Sequence, residues 1–265
     1  MNAPACSVKT AVREYWKDRV SDWKVASSLE TGSNAYFLEV ERYRFQKLAY
    51  LERVVNYQGW AGRSVLDVGC GLGTDLSRFA RGGANVTGVD LAPRAVDLAR
   101  QNFKQRGLDG TFTVMDGENL DFPDDTFDFV YCHTVLHFTP NPETMISEIH
   151  RVLKPGGHAL LMTINRRSWL YRLHRSFGVE LDYRDAPVFR HFDPAEFVAL
   201  TSAFDQRQML IERFPIRTEV HNGWKARLYN SLFVDLYNAM PERLIGRSGY
   251  HLLALVGEQW DQTNP

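Results

Sequence analysis

The stretch Val65-Leu66-Asp67-Val68-Gly69-Cys70-Gly71-Leu72-Gly73-Thr74-Asp75 constrains this chain more than any other. It opens as a short apolar run interrupted by one carboxylate and breaks into glycines at every second position. It then resumes with Leu76, Phe79 and Ala80 at helical spacing around Ser77 and Arg78. That pattern is a strand, a tight turn and a helix. Glycines there let the backbone turn sharply and let a ligand approach main-chain N–H groups at a helix N-terminus. A glycine-rich turn after the first strand marks nucleotide-binding α/β sheets. The spacing is Gly-x-Gly-x-Gly, however, and the dinucleotide pattern G-x-G-x-x-G fails from Gly69, where Thr74 stands at the last position. Taken alone, the turn fits a structural role as well as a ligand site.

The rest of the chain narrows the choice. From residue 64 onward it alternates strand and helix. Asn85 to Asp90 reads as a second strand ending in a carboxylate, and Ala92 to Gly107 as a helix with Pro93 in its first turn and Gly107 past its end. Phe112 to Asp116 is a third strand ending in another acid, and Phe127 to Cys132 a buried fourth. Glu143 to Leu153 is amphipathic and is stopped by Lys154-Pro155-Gly156-Gly157; His158 to Ile164 is a fifth strand. Asp193-Pro194 starts a helix, and Arg207 to Phe214 and Gly249 to Gly257 read as the last two strands. In a parallel sheet the glycine turn, Asp90 and Asp116 lie side by side at the carboxyl edge, where ligands bind. Asp90 suits ribose hydroxyls, Asp116 an exocyclic amine such as that of adenine, and the turn the group beyond the ribose.

Two regions flank this core. Residues 10–57 read as mostly helical, with Tyr15, Trp16 and Trp23 in a first segment and Asn34 to Tyr57 as an amphipathic second. Near the other end, residues 223–243 carry Trp224, Tyr229, Phe233 and Tyr237 between the last two strands. Both are read as ordinary packing or as a roof over the ligand edge. The expected organisation is a helical arm at 1–58, a cofactor-binding core at 59–165, and a remainder at 166–265 that includes a lid insertion at 223–243. The basic run Arg166 to Arg175 is read as a solvated helix face, with an anionic substrate or a membrane surface as the sharper alternatives.

Composition excludes several classes. A net charge of −1 over 265 residues gives no global attraction to nucleic acid or anionic membrane. Cys6, Cys70 and Cys132 are too few and too scattered for a disulfide framework or metal-ligand spacing, which predicts a reducing cytoplasm and no metal site. Met1 to Lys9 lacks a signal-type apolar core, and no apolar run approaches the ~20 residues that span a bilayer.

Over about residues 60–165 the sequence resembles the class I S-adenosylmethionine-dependent methyltransferases, in the type 11 branch that includes the ubiquinone/menaquinone C-methyltransferases. The resemblance rests on Val65 to Gly73, Val89-Asp90, Asp116-Gly117-Glu118 and Phe122 to Asp128 with Val135-Leu136-His137. It continues through Glu148 to Gly157. It implies a Rossmann-like seven-stranded sheet in the order 3-2-1-4-5-7-6 with strand 7 antiparallel. It implies S-adenosylmethionine as cofactor, with S-adenosylhomocysteine as product. Expected cofactor contacts are Asp67, Gly69, Cys70, Gly71, Gly73, Asp90, Leu91, Asp116, Gly117, Glu118 and His133. The implied chemistry is in-line methyl transfer to a small, partly apolar acceptor. There the protein aligns donor and acceptor and excludes water, and a base is needed only if the acceptor must lose a proton. His133 and His137 are the candidate catalytic groups. Tyr15, Trp16, Tyr36, Trp224 and Tyr229 are the candidate acceptor contacts. Competing readings are an RNA or protein methyltransferase, an NAD-dependent oxidoreductase and a non-catalytic cofactor-binding module. Balanced charge weighs against RNA and the glycine spacing against NAD.

Overall fold

The computed structural model describes residues 5–17, 19, 23–169, 183, 185–205, 207–212, 223–241, 244 and 249–257. Part of the basic run at 166–175 and part of the insertion at 223–243 therefore lie outside the described residues.

The apolar runs pair into one seven-stranded sheet, ordered β3-β2-β1-β4-β5-β7-β6. Its strands are β1 (Ser64–Val68), β2 (Asn85–Asp90), β3 (Thr111–Val114), β4 (Phe127–Cys132), β5 (Leu153–Ile164), β6 (Arg207–Glu212) and β7 (His251–Gly257). β1 to β5 pair in parallel, and β7 runs antiparallel between β5 and β6. Buried on both faces, the central strands alternate side chains between two cores. Val65, Phe129, Tyr131, Leu160 and Leu253 join one core; Leu66, Val130, Leu161 and Leu252 join the other.

The helices that close the two faces are α4 (Thr74–Arg81) and α5 (Pro93–Arg106) on one side, α6 (Pro142–Val152) and α7 (Pro194–Leu200) on the other. Their ends follow the sequence. Gly107 takes φ 62° past α5, and Asp193 closes a capping box with Glu196 at α7. The Pro155-Gly156-Gly157 turn lies inside β5 as an irregularity, where the β4 pairing shifts between Phe127 and Phe129.

The arm comprises α1 (Ala5–Trp16), α2 (Asn34–Lys47) and α3 (Leu51–Val54). The long second helix expected over 34–57 is interrupted at Leu48, whose φ and ψ of −114° and 48° leave the helix. The break delivers the Tyr50 hydroxyl to His133 and His251, 2.9 and 3.0 Å away. The insertion before β7 is helical: α8 (Trp224–Leu228), a π turn (Tyr229–Phe233) and α9 (Val234–Ala239). No described helix is long and apolar enough to cross a membrane.

Candidate functional site

The carboxyl ends of β1 and β2 and the turn after β3 open into one cleft of about 890 Å³, counting its mouth. Gly69, Gly71, Asp90, Leu91, Asp116, Gly117 and Glu118 line it, from seven of the eleven positions predicted to hold the cofactor.

The turn needs its glycines. Gly69, Gly71 and Gly73 have φ of 79°, 52° and 67°. A Cβ on Gly69 would also stand 2.3 Å from Val135 Cγ2, whereas at Gly71 nothing lies within 4 Å and the space is open to a ligand. The turn spends its donors on itself. The N–H groups of Gly69 and Cys70 both donate to Val89 O at 2.7 and 3.0 Å, and that of Gly73 donates to Cys70 O. Gly71 N–H donates to Asp90 Oδ2 at 2.9 Å. These four N–H groups, the expected attraction for a ligand, are already satisfied, so the turn offers room rather than an anion cradle.

Asp90 joins two elements. Its Oδ2 holds the glycine turn, and its Oδ1 accepts the Ala92 N–H at 2.9 Å at the start of α5. Burial pushes its carboxyl above the usual range, against the pull of the Ala92, Gly71 and Leu91 N–H groups. Each oxygen keeps a second lone pair that can accept from a diol.

Asp116 and Glu118 form the acidic end of the cleft. Asp116 Oδ1 accepts the Glu118 N–H at 2.9 Å. Glu118 accepts from Thr139 Oγ1, from Asn141 N–H at 2.9 Å and from Asn141 Nδ2 at 2.9 Å. A cation absent from the sequence reading completes the group: Lys9 Nζ lies 2.7 Å from Asp116 Oδ2 and 2.7 Å from Glu118 Oε2. Burial raises the Glu118 pKa, but hydrogen bonds from Asn141, Lys9 and Thr139 outweigh it and hold the carboxyl low. Burial likewise lowers Lys9, and its two carboxylate partners outweigh that and raise it.

Lys9 belongs to α1, whose Val12 and Trp16 also line the cleft, together with Arg19 beyond it. Helical spacing from Lys9 to Val12 and Trp16 puts them on one face, a signal that was present in the sequence. Trp16 packs edge-on against Phe138 at 4.9 Å and beside Tyr183 at 4.9 Å. Tyr15 does not line the cleft. Its hydroxyl donates to Asp185 at 2.8 Å, and burial and that bond push it up to about 12.

Neither predicted catalytic histidine lines the cleft; Thr134, Val135 and Phe138 do. His133 is 3% exposed and stacks on Tyr131. Arg44 Nη2 lies 3.3 Å from His133 Nδ1. Arginine only donates, so Nδ1 accepts and the ring proton sits on Nε2. Nε2–H then donates to Tyr50 Oη, and Tyr50 O–H donates to His251 Nδ1. Arg44 also pairs with Asp75 at 2.5 Å, which ties this chain of bonds to the first turn of α4. Burial, then the Arg44 charge, keeps His133 far below the usual imidazole range. Both its nitrogens are engaged, which leaves no lone pair for a substrate proton. Its anchored ring instead precedes Thr134, a β-branched residue held at φ 66° in the cleft wall. Such a conformation costs ~1–3 kcal/mol and persists only where surroundings enforce it. His137 is 2% exposed, and burial and then His191 lower its pKa to about 3.

The remaining predicted residues lie elsewhere. Asp67 and Cys70 are buried beneath the turn, with burial raising both groups. Gly73 caps α4 against Phe103. Tyr36 is buried with Phe37, Val40 and Leu72. Trp224 is 72% exposed, and Tyr229 stacks on Phe233. None of these lines the cleft, because their elements pack against the sheet or face solvent.

Residues 66–161, the span that contains the turn and both acids, match the family model for a methyltransferase domain. Over that span the chain carries a methyltransferase domain. The chain is 34% identical over 152 residues to a ubiquinone biosynthesis O-methyltransferase of Coxiella burnetii. The alignment takes in 57% of this chain and 63% of that protein, so the chain spans less than two thirds of the relative's length. A ubiquinone biosynthesis O-methyltransferase of Pseudomonas aeruginosa is 37% identical over 115 residues, 43% of this chain and 49% of the relative. The fold is also that of a Pyrococcus horikoshii protein, with TM-score 0.58, 19% identity and 93% and 99% of the two chains covered. An S-adenosylmethionine-dependent methyltransferase from Aquifex aeolicus matches with TM-score 0.53 and 15% identity, over 84% and 97% of the chains.

Proposed function

We propose that this chain transfers a methyl group from S-adenosylmethionine to a small, partly apolar acceptor. The observation that carries the reading is the joining, in one cleft, of an open glycine turn whose N–H groups are consumed internally with Asp90 and Asp116. With four of its N–H groups already satisfied, the turn has fewer donors to give a pyrophosphate, which needs free N–H groups. That weighs against the dinucleotide reading. The Coxiella and Pseudomonas relatives are ubiquinone biosynthesis O-methyltransferases, which supports a small-molecule acceptor.

When bound, S-adenosylmethionine supplies a methyl group already activated on a sulfonium. The protein's part is to hold and to enclose. Asp90 accepts from ribose hydroxyls through its spare lone pairs, and Asp116 accepts from the adenine amine beside the Gly117-Glu118 backbone. Gly71 leaves the space for the methionyl end. Thr134, Val135, Phe138 and the α1 residues Val12 and Trp16 wall the cleft against water, which favours transfer over hydrolysis. His133 acts as a positioning residue for Thr134, and no side chain among those lining the cleft is assigned as a base. Localisation in the cytoplasm and action without nucleic acid are part of the same reading.

Isothermal titration of the intact chain with S-adenosylhomocysteine and with NAD tests it. Tight binding of the first and none of the second is expected; the reverse overturns the assignment.

A further inference from the structure

A chain of buried polar groups lies behind the cleft, and the methyl-transfer reading uses only one of its members, His133. The others come from four further parts of the sequence. Asp75 stands in the first turn of α4, Arg44 on α2, Tyr50 between α2 and α3, and His251 at the start of β7, opposite Ile164 of β5. All five side chains are buried.

Arg44 reaches two segments that face each other. Its Nη2 lies 2.5 Å from Asp75 Oδ2 and 3.3 Å from His133 Nδ1. Asp75 comes two residues after Gly73, at the exit of the glycine turn, and His133 directly precedes Thr134 and Val135. Val135 closes on that same turn, since a Cβ on Gly69 would collide with its Cγ2. One guanidinium therefore fixes both the exit of the turn and the start of the segment opposite, and with them the gap between the two.

Tyr50 holds the other side of the His133 ring. Its Oη lies 2.9 Å from His133 Nε2 and 3.0 Å from His251 Nδ1. Because arginine only donates, donation runs one way along the chain: Arg44 to His133, His133 to Tyr50, Tyr50 to His251. Burial holds the Tyr50 hydroxyl far above the ordinary phenol range and His251 far below the ordinary imidazole range. The hydroxyl thus stays a donor and Nδ1 an acceptor. The helix break at Leu48 puts Tyr50 in this place, with Leu48, Tyr50 and Leu51 all packed into one core. A phenylalanine would fill the same space, so packing alone does not call for the hydroxyl. Its loss would take the partner from a buried N–H and a buried lone pair at once.

We propose, resting on the S-adenosylmethionine reading of the cleft, that Tyr50 is a positioning residue for methyl transfer. Acting through His133, its hydroxyl holds Thr134 and Val135 at the separation from the glycine turn that the methionyl end of the cofactor needs. Asp90 and Asp116, assigned to the nucleoside, take no part in the chain. A nucleoside without the amino-acid end, 5′-methylthioadenosine, is therefore the control. Titration of wild type and Tyr50→Phe with S-adenosylhomocysteine and with 5′-methylthioadenosine tests the assignment. The variant is expected to bind the first roughly three- to ten-fold more weakly and the second within about two-fold of wild type. Val54→Ala loosens packing on the same helical turn but keeps the hydroxyl, and it is expected to show no such difference between the ligands. Nitrogen NMR of wild type is expected to show the His133 proton on Nε2. Equal losses for both ligands in Tyr50→Phe, the same selective loss in Val54→Ala, or a His133 proton on Nδ1 each overturn the proposal. Wild type that binds neither ligand refutes the cofactor reading and this role with it. Wild type that binds S-adenosylhomocysteine, beside a Tyr50→Phe variant that binds it equally well, refutes this role alone.

Discussion

The cleft has two walls built on different physical terms. One is carried by the sheet: the glycine turn, Asp90 and the Asp116-Gly117-Glu118 turn. It is placed by β1–β2 and β2–β3 register, and beneath it lie the buried Leu66, Val68 and Val89 of β1 and β2. The other is α1, which brings Lys9, Val12 and Trp16 from a distant part of the chain. It is held by a partly exposed ion-pair cluster at Lys9 and by contacts of Tyr15, Trp16 and Arg19 with Tyr183 and Asp185. The sheet wall is rigid because moving it would disrupt the core. The α1 wall can separate at the cost of a few surface contacts, each worth ~1 kcal/mol or less. The sheet wall should therefore set affinity, and α1 should set access.

Substitutions can break that division. The largest effect is expected at Gly69, where Ala meets both a positive φ and Val135. Gly69→Ala should cost about 2–5 kcal/mol of stability, read by chemical denaturation. A near-neutral result would mean that the turn is not locked. Next, Asp90→Ala should weaken S-adenosylhomocysteine binding by about 2–3 kcal/mol, roughly 30- to 150-fold, in a protein that still unfolds cooperatively. Unchanged affinity would remove Asp90 from the ribose. At Asp116, replacement by Asn keeps one acceptor oxygen, so titration should show a smaller loss than with Ala. The opposite ranking would argue against a contact to the adenine amine.

Smaller effects are expected on the α1 side. Lys9→Met should change stability by less than ~1 kcal/mol, because the side chain is 33% exposed, while ligand association in stopped flow becomes faster. If it cost as much affinity as Asp90→Ala, the two walls would be equivalent and the comparison would fail. The pH dependence has a defined sign. Glu118 titrates below its ordinary value in the folded protein, so its contribution is complete above ~4.5 and is lost as pH falls through the lowered value. Lys9 titrates above its ordinary value, so its contribution is complete below ~10.5 and is lost as pH rises beyond that. Protection factors for hydrogen exchange in residues 8–16, referred to the intrinsic rate at each pH, should accordingly be highest between those limits and fall at either side. Constant protection down to pH 3 would show that α1 is held by its aromatic contacts alone.

The sheet wall was legible because it is local. The glycines, Asp90 and Asp116 each end or follow a strand, and a parallel sheet brings such ends together whatever the rest of the chain does. Gly107, Asp193 and Pro194 were legible for the same reason: caps act within a few residues. The histidines were not. A His just after β4 looks available in sequence, and only packing shows that Arg44, from another helix, takes one nitrogen of His133 while Tyr50 takes the other. Trp224 was misplaced as a cleft residue because aromatic content does not reveal which side of a helix faces the protein.

By itself the sequence determined the strands, the edge at which ligands gather and the two acids on it, while the strand order followed from the resemblance to a known family. The strands and their ends follow from hydrophobic period and turn chemistry, short-range properties of the chain. Only the tertiary structure decided that Lys9 bridges Asp116 and Glu118 and that the glycine-turn N–H groups are consumed internally. It alone decided that His133 is locked and that one face of the insertion is left bare. Each depends on distant residues meeting at hydrogen-bond or van der Waals distance, and such meetings are set by how whole elements pack rather than by any pattern within one of them.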